Sequence, residues 1–463
     1  MKRIVPACTK GWLLVLPALL AFLGGCGDSA PPFQGPPVLV IGLDGLDWNV
    51  ARPLMDQGKL PNLKALAERG TAGLLGTFQP TFSPVVWTSI ATGVRPEQHG
   101  ILFFSQVGPD GQPLPNGLPY TSNCRKVPAI WNIAGENARD VLSVGWWVSW
   151  PAEAVPNGRI FASYAAQIQG NILWKAGVWT NGLSDLASPP ALQDRMSDLL
   201  EAGAPQGPLG AEYDARFGRV DPRWKMEVQW DKLFRIAFHG DRTHIRIMER
   251  LLKEKVSALN MVYLGLPDVA GHFFWRYRDP EAFHYKVAPE KVSRLKDHID
   301  IAYEVVDAWV GEILQTLSDP EGTRILVISD HGMHADNLDR PNFPQSGAHE
   351  DAPPGVIFAA GPGIGITGIP DGEPPVLGTV YDITPTLLEW LDLKNPSDMA
   401  GRPLRGLMTP QWREAHPIRT GPSYARGFRA APPPRVPRED ANLEFKQGLQ
   451  ELGYLDAHQP EDR

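Results

Sequence analysis

The segment Val38-Leu39-Val40-Ile41-Gly42-Leu43 carries no polar side chain and stops on Asp44-Gly45. A strand with one wet face would alternate apolar and polar residues. An unbroken apolar run of this length marks a strand covered on both faces, as in a parallel sheet. Two further segments are dominated by apolar residues in the same way. Asn260 to Leu266 (NMVYLGL) runs into Pro267-Asp268, and Arg324 to Ser329 (RILVIS) runs into Asp330-His331. Helical periodicity lies between them. It runs through Leu54, from Leu63 to Ala67 with Gly70 as the stop, over Arg246 to Lys255, and over Ser293 to Leu317. Asp140 to Val148 and Val356 to Ala360 read as additional strands, and Thr384 to Leu391 as a late helix. This alternation predicts an α/β fold with a mainly parallel central sheet and helices on both faces.

Composition bounds the remainder. A chain of 463 residues, 43% hydrophobic, can bury a large core, and 46 glycines with 46 prolines argue against a helical bundle. The net charge of −8 comes with no basic stripe, so no nucleic-acid polymer is expected as a partner. The strand–helix rhythm places the main domain at residues 38–408. Between about 104 and 241 the chain is rich in Trp, Pro and Gly and weakly periodic, and this region is expected to contain a cap-like insertion over the site. Residues 409–463 read as a Pro/Arg-rich tail ending in a short amphipathic helix, Phe445 to Leu455.

The N-terminus reads as an export signal. Lys2, Arg3 and Lys10 precede the apolar stretch Gly11 to Gly25, which is too short to span a bilayer comfortably. Leu23-Gly24-Gly25-Cys26 resembles the lipobox of bacterial lipoproteins, so residues 1–25 are expected to be a signal peptide and Cys26 the lipidated residue. Two acyl signals would give stable attachment to a membrane. Residues 26–37 form a Pro-rich tether. The expected location is the bacterial cell envelope, lipid-anchored and periplasm-facing. Gly27, not an acidic residue, follows Cys26, which favours the outer over the inner membrane. With Cys8 removed and Cys26 lipidated, Cys124 has no partner for an intrachain disulfide.

Open α/β sheets bind ligands beyond the carboxyl ends of their strands, where Asp44, Asp268 and Asp330 stand. A lone Asp there is usually a cap or turn residue. Three together, two of them with His nearby, suit a metal that takes oxygen and nitrogen donors. Asp268 and His272 share a helical face at i, i+4. Asp330 and His331 are adjacent and could serve one ion only from an irregular loop. A further His is needed, with His349, His334 and His99 as candidates; His99 in PEQHG reads better as a turn residue.

The stretch Pro80 to Gly93, PTFSPVVWTSIATG, contains five hydroxyls: Thr81, Ser83, Thr88, Ser89 and Thr92. Ser83-Pro84 outlines a helix start, with Ser83 as N-cap, and Gly93 outlines its stop. Ser83 alone would stand where backbone N–H groups and the helix dipole converge on an anion. It is either a plain capping residue or an activated nucleophile for a phosphoryl group. The other four hydroxyls read as helix or loop residues.

Taken in order, Asp44 in GLDG, Ser83 before IATGVRPEQHGI, Asp268 and His272 in LPDVAGH, Asp330-His331 in SDHGM and His349 in SGAH resemble the type I phosphodiesterase/nucleotide pyrophosphatase family of the alkaline phosphatase superfamily. LPNLKALAERG (Leu60 to Gly70) and YDITPTLLEWL (Tyr381 to Leu391) resemble it too, and the likeness spans about Val38 to Leu404. The resemblance implies a three-layer α/β/α sandwich and two zinc ions. Asp268, His272 and His349 would hold one ion. Asp44, Asp330, His331 and the nucleophile's oxygen would hold the other. The family's nucleophile lies ten residues before the Gly of its TG pair, which here is Ser83 before Gly93. Manganese could occupy the same Asp/His set.

The chain departs from the family where nucleotide-cleaving members carry an Asn three residues after the nucleophile; here it has Val86. It also lacks the x-Pro-x-Arg that follows a sulfatase nucleophile. Arg276 and Arg278 are candidate phosphate contacts, although a solvated charged face is the plainer role. The expected function is an exported zinc-dependent phosphodiesterase acting through a covalent phosphoserine on a small-molecule or lipid-headgroup phosphate ester. The alternatives are a phosphotransferase or phosphomonoesterase of the same superfamily, or a ligand-binding lipoprotein without turnover.

Overall fold

The computed structural model describes residues 33–108, 110, 120–163, 185–203 and 207–430. The expected signal peptide, Cys26, residues 26–32 of the tether and the Phe445 to Leu455 helix lie outside the described residues.

A nine-stranded sheet forms the centre, in the order β11-β2-β10-β7-β1-β6-β3-β4-β5. Its strands are β1 (Val38–Leu43), β2 (Thr71–Gly76), β3 (Val141–Val144), β4 (Gly158–Phe161), β5 (Ala187–Ser188), β6 (Leu259–Leu264), β7 (Arg324–Ile328), β10 (Gly355–Ala360) and β11 (Val376–Thr379). A separate ribbon pairs β8 (His334–Ala335) with β9 (Gly347–Ala348). All strands of the large sheet run parallel except β5 and β10. Every residue of β1, β6, β7 and β10 is buried. Because successive side chains point to opposite faces, both faces of this central block are covered. The Lys225–Glu254 helix packs on β6 and β3, the Pro61–Glu68 helix on β10 and β2, and the Ile130–Glu136 helix on β3.

The three acid-terminated segments become adjacent strands at the middle of the sheet. Leu43 of β1 lies opposite Leu264 of β6, and Gly42 lies opposite Ile328 of β7. The parallel register therefore delivers Asp44, Asp268 and Asp330 to one edge.

The 104–241 region, expected to contain an insertion, also supplies β3, β4 and β5 to the sheet and the first part of the 30-residue Lys225–Glu254 helix. β3 falls within the strand read over Asp140 to Val148, whereas β4 and β5, of four and two residues, are too short to show a period. Two expectations need correction. The expected helix over Ser293 to Leu317 is two helices, Pro289–Leu295 and His298–Thr316. Ser83 is not the N-cap. Phe82 holds the extended capping position and Ser83 is the first helical residue of Ser83–Thr92. Gly93 ends that helix with φ of 69°, as the sequence indicates. Among the described residues no helix is long and apolar enough to cross a membrane.

Candidate active site

Two triads of ligating groups lie at the carboxyl edge of the sheet. Asp268, His272 and His349 form one, and Asp44, Asp330 and His331 form the other; within each triad the ligand atoms lie within 4.8 Å of one another. All six residues are buried. In the first, His272 Nε2 stands 3.3 Å and His349 Nε2 4.0 Å from Asp268 Oδ1. In the second, His331 Nε2 stands 3.3 Å from both Asp44 Oδ1 and Asp330 Oδ2. The triads are neighbours: the His331 and His349 rings stack with centroids 4.2 Å apart.

Local structure explains each placement. Asp268 and His272 sit one turn apart on the Leu266–Arg278 helix. Asp330-His331 lie in irregular chain after β7, which allows adjacent residues to serve one centre. Ser329 Oγ accepts from Leu46 N at 2.9 Å and donates to the His331 carbonyl at 2.8 Å, tying the β1 and β7 loops together. Asp47 does the same work, accepting from Asn49 N at 2.6 Å and from Met333 N at 2.8 Å. Gly45 has φ of +68°, and a Cβ there would stand 2.8 Å from Asp268 Cα, so only glycine lets the loop after β1 approach the helix that carries Asp268 this closely.

Outward-facing bonds fix which atoms face the centre. His272 Nδ1 is 2.8 Å from Gly347 O and His331 Nδ1 is 3.1 Å from Gly332 O, so each ring donates from Nδ1 to a carbonyl and turns Nε2 inward. Asp44 Oδ2 accepts from the Trp87 indole N–H at 3.0 Å and from the Tyr263 hydroxyl, leaving Oδ1 for the centre. Among the described residues, the buried atoms without a hydrogen bond include Asp44 Oδ1, Asp330 Oδ2, His331 Nε2, His349 Nε2 and Ser83 Oγ. Buried polar atoms of this kind normally have partners. This donor set of carboxylate oxygens and imidazole nitrogens fits divalent cations.

The electrostatics agree. Burial pushes the Asp330 carboxyl well above its ordinary range, and the Asp44 charge adds to the shift. Burial opposes a charge on His331, but the Asp330, Asp44 and Asp268 carboxylates outweigh it and raise the group to about 10. Without cations the site recruits protons to balance its carboxylates.

Of the five hydroxyls between Pro80 and Gly93, four are engaged. Thr81 bonds to His349, Thr88 donates to Pro84 O at 2.6 Å, Thr92 donates to Thr88 O at 2.7 Å, and Ser89 pairs with His99 Nε2 at 3.0 Å. Ser83 Oγ alone is buried without a partner. The segment around it touches both triads, through Thr81 to His349 and through Trp87 to Asp44.

Other sequence candidates have structural roles. His99 also accepts from Ile101 N at 3.1 Å, and His334 bonds to Ala335 O and Glu350 O. Arg276 donates to Pro341 O at 2.9 Å and Phe343 O at 2.6 Å, bracing the chain that leads to His349. Arg278 pairs with Asp300 at 2.8 Å. Val86 is fully buried in the helix. Sequence reasoning counted Thr81 among the hydroxyls but not as a partner of His349, and it missed Trp87, Tyr263 and Asp241. Of those three, Trp87 left a signal, lying one helical turn after Ser83.

A mainly parallel α/β sheet with two neighbouring carboxylate–histidine triads at its carboxyl edge, each of which could hold a cation, defines the class of this protein. The sequence profile of the family "Type I phosphodiesterase / nucleotide pyrophosphatase" matches residues 38–368, and the chain belongs to that family. Local matches to 2,3-bisphosphoglycerate-independent phosphoglycerate mutases are 38% identical over 106 residues for Cyanothece sp. (strain PCC 7425 / ATCC 29141) and 34% over 103 residues for Chloroflexus aggregans (strain MD-66 / DSM 9485). Each alignment takes in 22% of this chain, and it takes in 19% of the first mutase and 18% of the second, so the chain spans about a fifth of these curated relatives. Among solved structures, a sulfatase-like protein of Bacteroides thetaiotaomicron VPI-5482 aligns at TM-score 0.49 and 14% identity, over 81% of this chain and 75% of the other. Murine ectonucleotide pyrophosphatase/phosphodiesterase 5 in complex with AMP aligns at 0.45 and 13%, over 81% and 100%.

Proposed function

We propose that the protein is a phosphoric-ester hydrolase, with phosphodiesters as its preferred substrates. It would use Ser83 as nucleophile and two divalent cations, zinc in the first instance and manganese as the alternative. The observation that carries this reading is the pair of triads with unpartnered buried atoms in both, together with an unpartnered Ser83 Oγ on the segment that bonds to a ligand of each. Asp268, His272 and His349 would hold one cation, and Asp44, Asp330 and His331 the other. Bound there, the cations would lower the pKa of the hydroxyl and stabilise the leaving oxygen.

In the first half-reaction Ser83 Oγ gives up its proton and attacks phosphorus. The Oγ–P bond forms, the bond from phosphorus to the ester oxygen breaks, and that oxygen leaves with a proton as an alcohol. Water then cleaves the phosphoserine. Three carboxylates against two divalent cations leave the site net positive, which suits an anionic ester. Val86 offers no donor to the phosphate, so nucleotides are not the favoured class.

The mutase relatives favour one second reading, transfer of the phosphoryl group to an acceptor alcohol in place of water. The two share the first half-reaction. We also propose export and lipidation at Cys26, supported by the signal-like segment before it. A Cys26→Ser protein that still partitions with membranes would contradict that.

The test is an assay of aryl phosphate diester against monoester, with and without chelator, and with an added alcohol. Chelator-sensitive diester cleavage is expected. Monoester preference would move the protein to the phosphatases, alcohol capture would favour transfer, and a chain that binds no cation and cleaves no ester would leave ligand binding only.

A further inference from the structure

Thr81 has a single hydroxyl proton, and its Oγ1 has two close polar neighbours. The His349 carbonyl oxygen is 2.9 Å away and His349 Nδ1 is 2.9 Å away. A carbonyl can only accept, so the proton goes to it. The bond to the ring then requires Nδ1 to be the donor, because a hydroxyl whose one proton is committed can offer only a lone pair. His349 is thereby held with its proton on Nδ1 and a lone pair on Nε2. Nε2 is buried, lacks a hydrogen bond, and lies 4.0 Å from Asp268 Oδ1.

His272 and His331 reach the same tautomer by donating to main-chain carbonyls. A carbonyl is fixed to the fold and leaves no choice of role. His349 depends instead on one side chain, and that side chain lies two residues before Ser83 on the same segment. Thr81 is itself fully enclosed, with 1% exposure, so water cannot readily take over its role.

We propose that Thr81 is a positioning residue for the Asp268/His272/His349 centre, acting through the tautomer of His349. It thereby couples the segment that carries the nucleophile to the occupancy of that centre. Trp87 does the corresponding work at the other centre, through Asp44 Oδ2. One stretch of chain, Thr81 to Trp87, thus braces one ligand of each triad and carries Ser83. The inference rests on the two-cation reading above.

The experiment is a calorimetric titration of zinc into the chelator-stripped full chain, for wild type, Thr81→Val and Thr81→Ser. Thr81→Val keeps the volume and removes both hydrogen bonds. It is expected to weaken one of the two ions about 10–100-fold, the range for loss of a bond that orients a ligand, and to leave the other within about threefold. Thr81→Ser keeps the hydroxyl and is expected to stay within about threefold of wild type at both. Wild-type affinities for Thr81→Val would overturn the inference while leaving the two-cation reading intact. Equal losses in the Val and Ser variants would overturn it too, because the cause would then be packing of the methyl group. A wild type that binds no zinc would overturn both. Should Thr81→Val fail to fold, ¹⁵N-histidine NMR of the zinc-loaded wild type decides: a proton on His349 Nδ1 supports the inference, and its absence there overturns it.

Discussion

Trp87 donates its indole N–H to Asp44 Oδ2 at 3.0 Å, and the two residues come from elements that share no local sequence. Trp87 belongs to the helix that begins at Ser83, and Asp44 directly follows β1. Gly42 makes the contact sterically feasible, since a Cβ there would stand 2.6 Å from the Trp87 ring. The bond fixes the helix against the strand and fixes which oxygen of Asp44 faces the centre. Trp87→Phe should keep the ring packing against Trp146 and Tyr263 but lose this donor. The Tyr263 hydroxyl would still hold Asp44, so a stability loss of about 1 kcal/mol is expected in denaturant unfolding. Ester cleavage should fall about 10-fold or more, in step with weaker cation binding.

Ser83→Ala removes the unpartnered hydroxyl and nothing that another residue uses. Diester cleavage should fall about 10³-fold or more, with two cations still bound by metal analysis and an unchanged melting temperature. Full activity in this variant would show that Ser83 is not the nucleophile.

Asp241 is buried in the Lys225–Glu254 helix, and its Oδ2 accepts from Gly265 N at 2.8 Å and Leu266 N at 2.7 Å, at the start of the helix carrying Asp268 and His272. Burial raises its carboxyl well above the usual range, and the Asp44 charge adds to this. An amide should therefore replace it with little cost. Asp241→Asn is expected within about 1 kcal/mol of wild type, and Asp241→Ala to lose about 2–4 kcal/mol by stranding two backbone donors. Urea unfolding of the pair measures the difference.

Protonation should link stability to cation binding. In the cation-free protein His331 is raised to about 10, so its unfolded form, with an ordinary value near 6.5, binds fewer protons between those limits. The stability contributed by His331 is complete below about 6.5 and is lost as the pH rises toward 10. The cation-free melting temperature should fall over that window. A bound cation displaces the proton, so cation affinity should rise over the same window and the loaded protein should not share the decline. Parallel melting curves for the two forms would contradict this.

At acid pH the sign reverses and other residues act. Burial lowers His99 and His298 to about 3 and His244 to about 4. The unfolded chain therefore binds more protons below about 6.5, and stability should fall steadily from there toward pH 4. A His298→Phe variant, placed among Phe217, Phe234 and Phe274, should flatten the decline.

The sequence by itself determined the class of fold, because a run such as Val38–Leu43 is stable only with both faces covered. It also marked Asp44, Asp268, Asp330, His272 and His331 as candidate ligands, at strand ends and at i, i+4, while the choice of His349 and the division into two sets rested on the family resemblance. Whatever depends on contacts between distant segments came only with the tertiary structure. Thr88 and Thr92 bond within their own helix, but the engagement of Thr81 and Ser89, which leaves Ser83 Oγ alone among the five hydroxyls, needed the positions of His349 and His99. The reassignment of Arg276 from a candidate phosphate contact to a brace needed the carbonyls of Pro341 and Phe343. The tautomers of the histidines and the bracing of Asp44 by Trp87 and Tyr263 were likewise invisible in one dimension. Apolar periodicity is a local property of the chain and survives in sequence. Hydrogen-bond partnership is set across hundreds of residues and exists only once the sheet has brought its strand ends together.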